Sequence, residues 1–138
     1  MITLNQDISF SAVVEHGEKR GRALGFPTAN LTLPKGIDLD VGVYAVKASL
    51  DNGVTFLKGA ASYGYNPTFG NEKRSFEVHI LDFDEDIYDK FLLVTVVEFI
   101  RGEEAFDSLD ALKMKIQEDC DYARDALNKK IIDKIKVV

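Results

Sequence analysis

The sequence predicts a mainly β fold, an antiparallel barrel or sandwich closed by one C-terminal helix. Two observations predict it. Between residues 8 and 100, short β-branched and aromatic runs alternate with turns rich in Gly, Pro and Asn. From residue 108 the apolar period lengthens. Leu109, Leu112, Ile116, Cys120, Ala123, Leu127 and Ile131 recur every three or four residues, the stripe of an amphipathic helix. A length of 138 residues supports one core, so a single domain over residues 1–138 is expected.

Each element has its own warrant. Residues 8–14, Ile-Ser-Phe-Ser-Ala-Val-Val, read as a strand, and a glycine-rich turn over 17–25 follows. Pro27, Pro34 and Gly36 make residues 26–41 mostly loop. Gly42 to Leu50 alternates and favours a strand. The Asn52-Gly53 dipeptide then signals a hairpin, because both residues tolerate positive φ, and Thr55 to Tyr63 is its partner. Residues 66–71 are a turn. Ser75 to Phe83 is the next strand, with Phe76, Val78 and Ile80 on one face and Glu77 and His79 on the other. Asp84-Glu-Asp86 is a polar turn, and Phe91 to Ile100 is a deeply packed strand. Asp107 or Ser108 caps the helix, since a short oxygen-bearing side chain accepts from the free amides of a first turn.

Composition removes several functions. With 17 basic and 23 acidic residues the net charge is −6, which argues against nucleic acid or an anionic membrane surface as partner. Cys120, the sole cysteine, has no disulfide partner within the chain, and no Cys/His cluster suggests zinc. The first residues lack a signal-peptide pattern, and no apolar run reaches the ~20 residues that span a bilayer. A cytoplasmic protein is expected. Residues 1–70 hold 6 basic and 6 acidic residues, so the whole excess of acid lies in residues 71–138. Within the neutral half, Lys19, Arg20 and Arg22 cluster between glycines. That is a solvated turn or an anion site.

Common phosphate motifs are absent. The densest signal is Gly17 to Asn30, Gly-Glu-Lys-Arg-Gly-Arg-Ala-Leu-Gly-Phe-Pro-Thr-Ala-Asn. Its glycines allow close backbone approach to a ligand, and basic side chains sit among them. Thr28 and Asn30 lie two residues apart, on one side of an extended backbone. Both offer hard oxygens to Mg²⁺, which takes few protein ligands and shares phosphate oxygens. A proline turn with self-capping polar side chains is the plainer alternative. The lone histidines, His16 and His79, read as structural residues.

Gly21-Arg-x-Leu-Gly-Phe-Pro-Thr-Ala-Asn30 closely resembles the signature of riboflavin kinases, which in bacteria usually form the C-terminal half of a bifunctional flavokinase/FAD synthetase. The resemblance continues through Gly42-Val-Tyr-Ala-Val46, Asn66-Pro-Thr-Phe69, Phe76-Glu-Val-His-Ile-Leu-Asp-Phe-Asp84 and Asp86-Ile-Tyr88. It takes in Ile100-Arg-Gly-Glu103, Phe106-Asp-Ser-Leu109 and Ile116-Gln-x-Asp119. It implies a six-stranded antiparallel Greek-key β-barrel with a C-terminal helix from about residue 108. It implies transfer of the γ-phosphate of ATP to the 5′-hydroxyl of riboflavin, giving FMN and ADP. By resemblance, Glu77 is the general base and Thr28 and Asn30 hold Mg²⁺ and the nucleotide. Gly17 and Arg22 lie on the phosphate loop, Tyr88 lies on the nucleotide side, and Arg101, Glu103 and Phe106 form the flavin end.

The chain departs from that pattern at Ala12 and Asp89, where the family usually has glycine. Two further readings follow: a catalytically weak flavin- or nucleotide-binding module of the same fold, and a barrel for single-stranded nucleic acid, which the acidic charge disfavours. A chain of this length lacks room for an adenylyltransferase module, so it is either a stand-alone kinase or part of a longer bifunctional protein.

Overall fold

The computed structural model describes residues 7–16, 25–66 and 71–136. Six antiparallel strands form one sheet: β1 (Ile8–Val13), β2 (Ala29–Leu31), β3 (Gly42–Ser49), β4 (Leu57–Asn66), β5 (Asn71–Ile80) and β6 (Phe91–Arg101). One helix, α1 (Leu109–Lys136), follows. The strand order is β1-β6-β3-β4-β5-β2. Consecutive β3, β4 and β5 form a meander and β6 returns to lie beside β3, the Greek-key order. The sheet curls until its edge strands approach. There Glu15, just beyond β1, donates its backbone N–H to the Asn30 carbonyl of β2 at 2.8 Å. The two edges meet through this bridge rather than through a full ladder.

The alternation of side chains explains the curl. Inward positions of every strand form the core, with Phe10, Leu31, Tyr44, Phe76, Val78, Leu92, Val94 and Val96 buried. Phe10 and Phe76 pack edge to face, their centroids 5.3 Å apart, a geometry that aligns ring edge with ring face. Tyr44 crosses the core to donate its hydroxyl to the Asp40 carbonyl at 2.6 Å. Burial, with the nearby Asp40 carboxylate, pushes the phenol up to about 12. Gly42 permits close approach of β3 to β6, because any Cβ there would collide with the Arg101 carbonyl and the Phe99 ring.

The helix lies on the outside of the sheet. Cys120, Ala123 and Leu127 are buried against Ala45, Ala60 and Val97 of β3, β4 and β6. Small residues on both sides let the backbones approach. Ser108 is the cap, its Oγ accepting from the Ala111 amide at 3.1 Å. The expected apolar stripe holds from Leu112 to Leu127, but Leu109 is exposed, because the first turn projects beyond the sheet.

Three expected boundaries shift. Residues 26–41 contain β2, a three-residue strand that its own sequence does not announce and that exists by pairing with β5. The third long strand begins at Asn71 and ends at Ile80, with Asp82 at φ 55° turning the chain. The β4 strand starts at Leu57 rather than Thr55, because residues 50–56 form a built loop. Asn52 and Gly53 take φ of 56° and 94°, as the dipeptide requires. Asp51 organises the rest, accepting from the Thr55 hydroxyl (2.6 Å), the Thr55 amide (2.8 Å) and the Ser49 hydroxyl (2.8 Å). These bonds to its charged form, the Thr55 hydroxyl foremost, lower the Asp51 carboxyl from 3.8 to about 2. The folded value is the depressed one, so the bonds stabilise the loop above about pH 4 and are lost as pH falls through 2. A carboxyl-carbon NMR titration is expected to place the Asp51 midpoint near 2; a midpoint near 3.8 would show that the bonds do not hold in solution.

Candidate functional site

A polar row crosses the outer face of the sheet beside α1. In the ladder, Asn30 of β2 stands opposite Glu77 of β5, and Glu77 opposite Ser62 of β4. Directly paired residues share a face, with Cβ atoms about 5 Å apart. Their neighbours Leu31, Phe76, Val78 and Tyr63 are buried in the core, so Asn30, Glu77 and Ser62 face outward. Glu77 and Asn30 are half-buried and Ser62 is exposed. Thr28, two residues before Asn30, shares its parity.

The row has a second tier. Ser75, two residues before Glu77, stands opposite Gly64. A Cβ on Gly64 would collide with the Glu103 carboxylate. The missing side chain therefore makes the space that Glu103 occupies. Two carboxylates, Glu77 and Glu103, and two hydroxyls, Ser62 and Ser75, thus surround one glycine.

Thr28 also borders a cleft at the mouth of the barrel, walled by Val78, Ile80, Phe83, Ile87 and Tyr88. Its outer lip carries Asp84, Glu85 and Asp86. The Asp86 carboxylate accepts from the Tyr88 amide at 3.1 Å, an Asx turn that orients the ring. Asp89 then takes φ 67° and donates its amide to the Val14 carbonyl at 2.9 Å, pinning this turn to the end of β1. The His16 ring stacks on Tyr88 with centroids 4.2 Å apart, and its Nε2 lies 3.4 Å from Asp89. On the neighbouring strand, His79 Nδ1 donates to the Pro27 carbonyl at 2.7 Å, which fixes the approach of the segment bearing Thr28.

The far end of the row is set by an ion pair. Arg101 donates Nε and Nη2 to the two carboxylate oxygens of Asp119 at 2.9 and 2.8 Å. Asp119 is 5% exposed, so this forked pair joins the end of β6 to α1 away from water. Nη1 bonds the Gly102 carbonyl at 3.1 Å, and the guanidinium lies 5.8 Å from the Phe106 ring centroid. Arg101 thus holds residues 102–106, and with them Glu103, in place over Gly64.

Residues 4–127 match the riboflavin kinase (flavokinase) family model. The chain belongs to the riboflavin kinase family. It is 41% identical over 115 residues to the bifunctional riboflavin kinase/FMN adenylyltransferase of Haemophilus influenzae, covering 83% of this chain and 37% of that protein. The Bacillus subtilis protein of the same name is 38% identical, with 86% and 38% covered. The chain therefore spans under two fifths of the length of these relatives. Among solved structures, riboflavin kinase from Trypanosoma brucei superposes with a TM-score of 0.63 at 28% identity, over 90% of this chain and 82% of that one. A Streptococcus pneumoniae structure described as a macrolide-efflux protein gives 0.74 at 37% identity, over 84% and 38%. No helix among the described residues is long and apolar enough to cross a membrane.

The riboflavin kinase pattern gives the geometry its context. Asn30 and Glu77 come together on adjacent strands, with Glu103 one step along the sheet, while Thr28, just before β2, borders the cleft. Tyr88 lines the same cleft as Thr28, on the loop that follows β5. Gly17 and Arg22 lie outside the described residues. Arg101 acts as a brace at the end of the row, its fork being engaged by Asp119. Sequence reasoning passed over Ser62 and Ser75 and read His16 as structural, because only the strand register and the β1–turn contact bring them to this region. Asp119 was visible within the Ile116-Gln-x-Asp119 segment, but its partner was not. Of the departures from the family pattern, the Ala12 methyl packs against the core from β1, and Asp89 adopts the positive φ that glycine would supply.

Proposed function

We propose that this chain is an ATP:riboflavin 5′-phosphotransferase, working as one riboflavin-kinase-like domain in the cytoplasm. The observation that carries the reading is the register that puts Glu77 between Asn30 and Ser62, with Glu103 one step along the sheet. A phosphoryl donor on the Thr28–Asn30 side and an alcohol on the Glu103 side then meet at Glu77.

The chemistry follows from that placement. Phosphoryl transfer needs positioning and charge neutralisation more than covalent assistance from protein. Glu77 accepts the proton of the ribityl 5′-hydroxyl as its oxygen forms the new bond to the γ-phosphorus. The bond from that phosphorus to the β,γ-bridging oxygen breaks, and ADP leaves with its electron pair. The products are FMN and ADP, with the proton on Glu77. Thr28 and Asn30 fit Mg²⁺ as donors, being neutral oxygen ligands on one side of a strand. Mg²⁺ is hard and completes its shell with waters and phosphate oxygens. When bound, it neutralises charge on the phosphates. The carboxylates of Asp84, Glu85 and Asp86 suit the N–H and O–H donors of base and ribose rather than phosphate, so the triphosphate points toward Thr28 and Asn30. Gly17 and Arg22 would cradle it from the glycine-rich loop. Because relatives carry both activities, an adenylyltransferase that consumes FMN is the natural companion reaction.

Incubation with riboflavin, ATP and Mg²⁺, followed by chromatographic separation of flavins, tests the reading. FMN is expected with Mg²⁺ and not with EDTA. No FMN under either condition, from protein that is folded by circular dichroism, would reject it. Asn30→Ala is expected to raise the Mg²⁺ concentration required for half-maximal rate by about tenfold or more, the usual effect of losing a metal-shell partner. An unchanged Mg²⁺ dependence would remove Asn30 from the metal site.

A further inference from the structure

The acceptor of a kinase must be held as well as deprotonated, and a polyol chain presents several hydroxyls in line. Beside Glu77 the sheet displays two serine hydroxyls at fixed spacing. Ser62 faces Glu77 directly across the β4–β5 ladder, and Ser75 lies two residues along β5 on the same face. Gly64, opposite Ser75, contributes no side chain, and the Glu103 carboxylate stands over it. Neighbouring inward positions Ala61, Tyr63, Phe76 and Val78 are locked in the core, so the outward pair cannot rotate away without disrupting the strands.

We propose that Ser62 and Ser75 bind the ribityl chain of the flavin, orienting its terminal hydroxyl toward Glu77. This inference rests on the riboflavin kinase reading and deepens it. A hydroxyl both donates and accepts, so it pairs with a neutral alcohol in either sense. A carboxylate only accepts, and Glu77 and Glu103 alone would leave the lone pairs of the sugar hydroxyls without donors. Two hydroxyls alternating with two carboxylates supply both roles to a chain of alcohols. The isoalloxazine ring has no part in these contacts, which makes the proposal separable from flavin binding in general.

The test uses Ser62→Ala, Ser75→Ala and the double variant, with riboflavin and lumiflavin, which keeps the ring and lacks the ribityl chain. Loss of a neutral hydrogen bond in a binding site lowers affinity by about three- to tenfold. Each single variant is expected to raise KM for riboflavin by that factor and the double variant by more, with KM for ATP unchanged. Lumiflavin inhibition is expected to stay the same. An unchanged riboflavin KM in the double variant, or equal changes in the riboflavin and ATP constants, would overturn the proposal. Equal weakening of lumiflavin would reduce the serines to a general structural role. Wild-type protein that makes no FMN would reject the underlying kinase reading, whereas wild-type turnover with unaffected variants would reject the serine assignment alone.

Discussion

Glu77→Gln is expected to lower the rate of FMN formation by about 10²- to 10⁴-fold, the usual contribution of a positioned general base. Gln keeps the shape and reach of the side chain but gives up the negative charge and the basicity. The position is half-buried on the outer face of β5, with Phe76 and Val78 carrying the core contacts on either side. The variant should therefore fold and melt like the parent. KM for ATP should hold, because the proposed reading puts the nucleotide on the Thr28 and Asn30 side of the row. A variant with more than a tenth of parental turnover would remove Glu77 from the role of base. A variant with lost turnover and a lowered melting temperature would point instead to a structural contribution.

Asp119→Ala is the substitution with the largest expected effect on stability. Removing one member of a buried, hydrogen-bonded ion pair leaves the other charge unpaired and costs about 3–5 kcal/mol. Arg101 keeps 18% side-chain exposure, so the lower end, about 3 kcal/mol, is the better figure. For a chain of this size that is a fall in melting temperature of about 10 °C. Arg124→Ala is the control. Arg124 bonds Asp82 at 2.6 Å, but both groups are solvated, with side-chain exposures of 40% and 75%, and water screens such pairs. Scanning calorimetry of the two variants separates burial from mere ion pairing. Equal melting shifts would mean that the Arg101–Asp119 fork contributes no more than a surface contact. In the expected case Asp119→Ala also weakens flavin turnover, since Arg101 no longer holds residues 102–106 over Gly64.

How much of this was legible depends on the range of each interaction. The alternation in residues 76–80 placed Phe76, Val78 and Ile80 inward and Glu77 outward, as found, because a strand fixes side-chain direction residue by residue. The Asn52-Gly53 turn was legible for the same local reason. The β2 strand was not, because its three residues lie between prolines and become a strand only through pairing with β5. The exposure of Leu109 was also invisible, since periodicity assigns a face but cannot say where the covering sheet ends.

The sequence by itself determined the order of the long strands and the helix, most of the helix's apolar stripe, the inward and outward sets on the long strands, and the family to which the chain belongs. These follow from nearest-neighbour sterics, hydrophobic period and an ordered set of motifs. Only the tertiary structure decided which outward residues meet. Asn30, Glu77 and Ser62 are far apart in the chain and stand in one row because antiparallel register aligns them. Arg101 reaches Asp119 because the helix crosses the end of β6. Contacts of that kind depend on how strands pair and where the helix docks, and neither is encoded in any short stretch of residues.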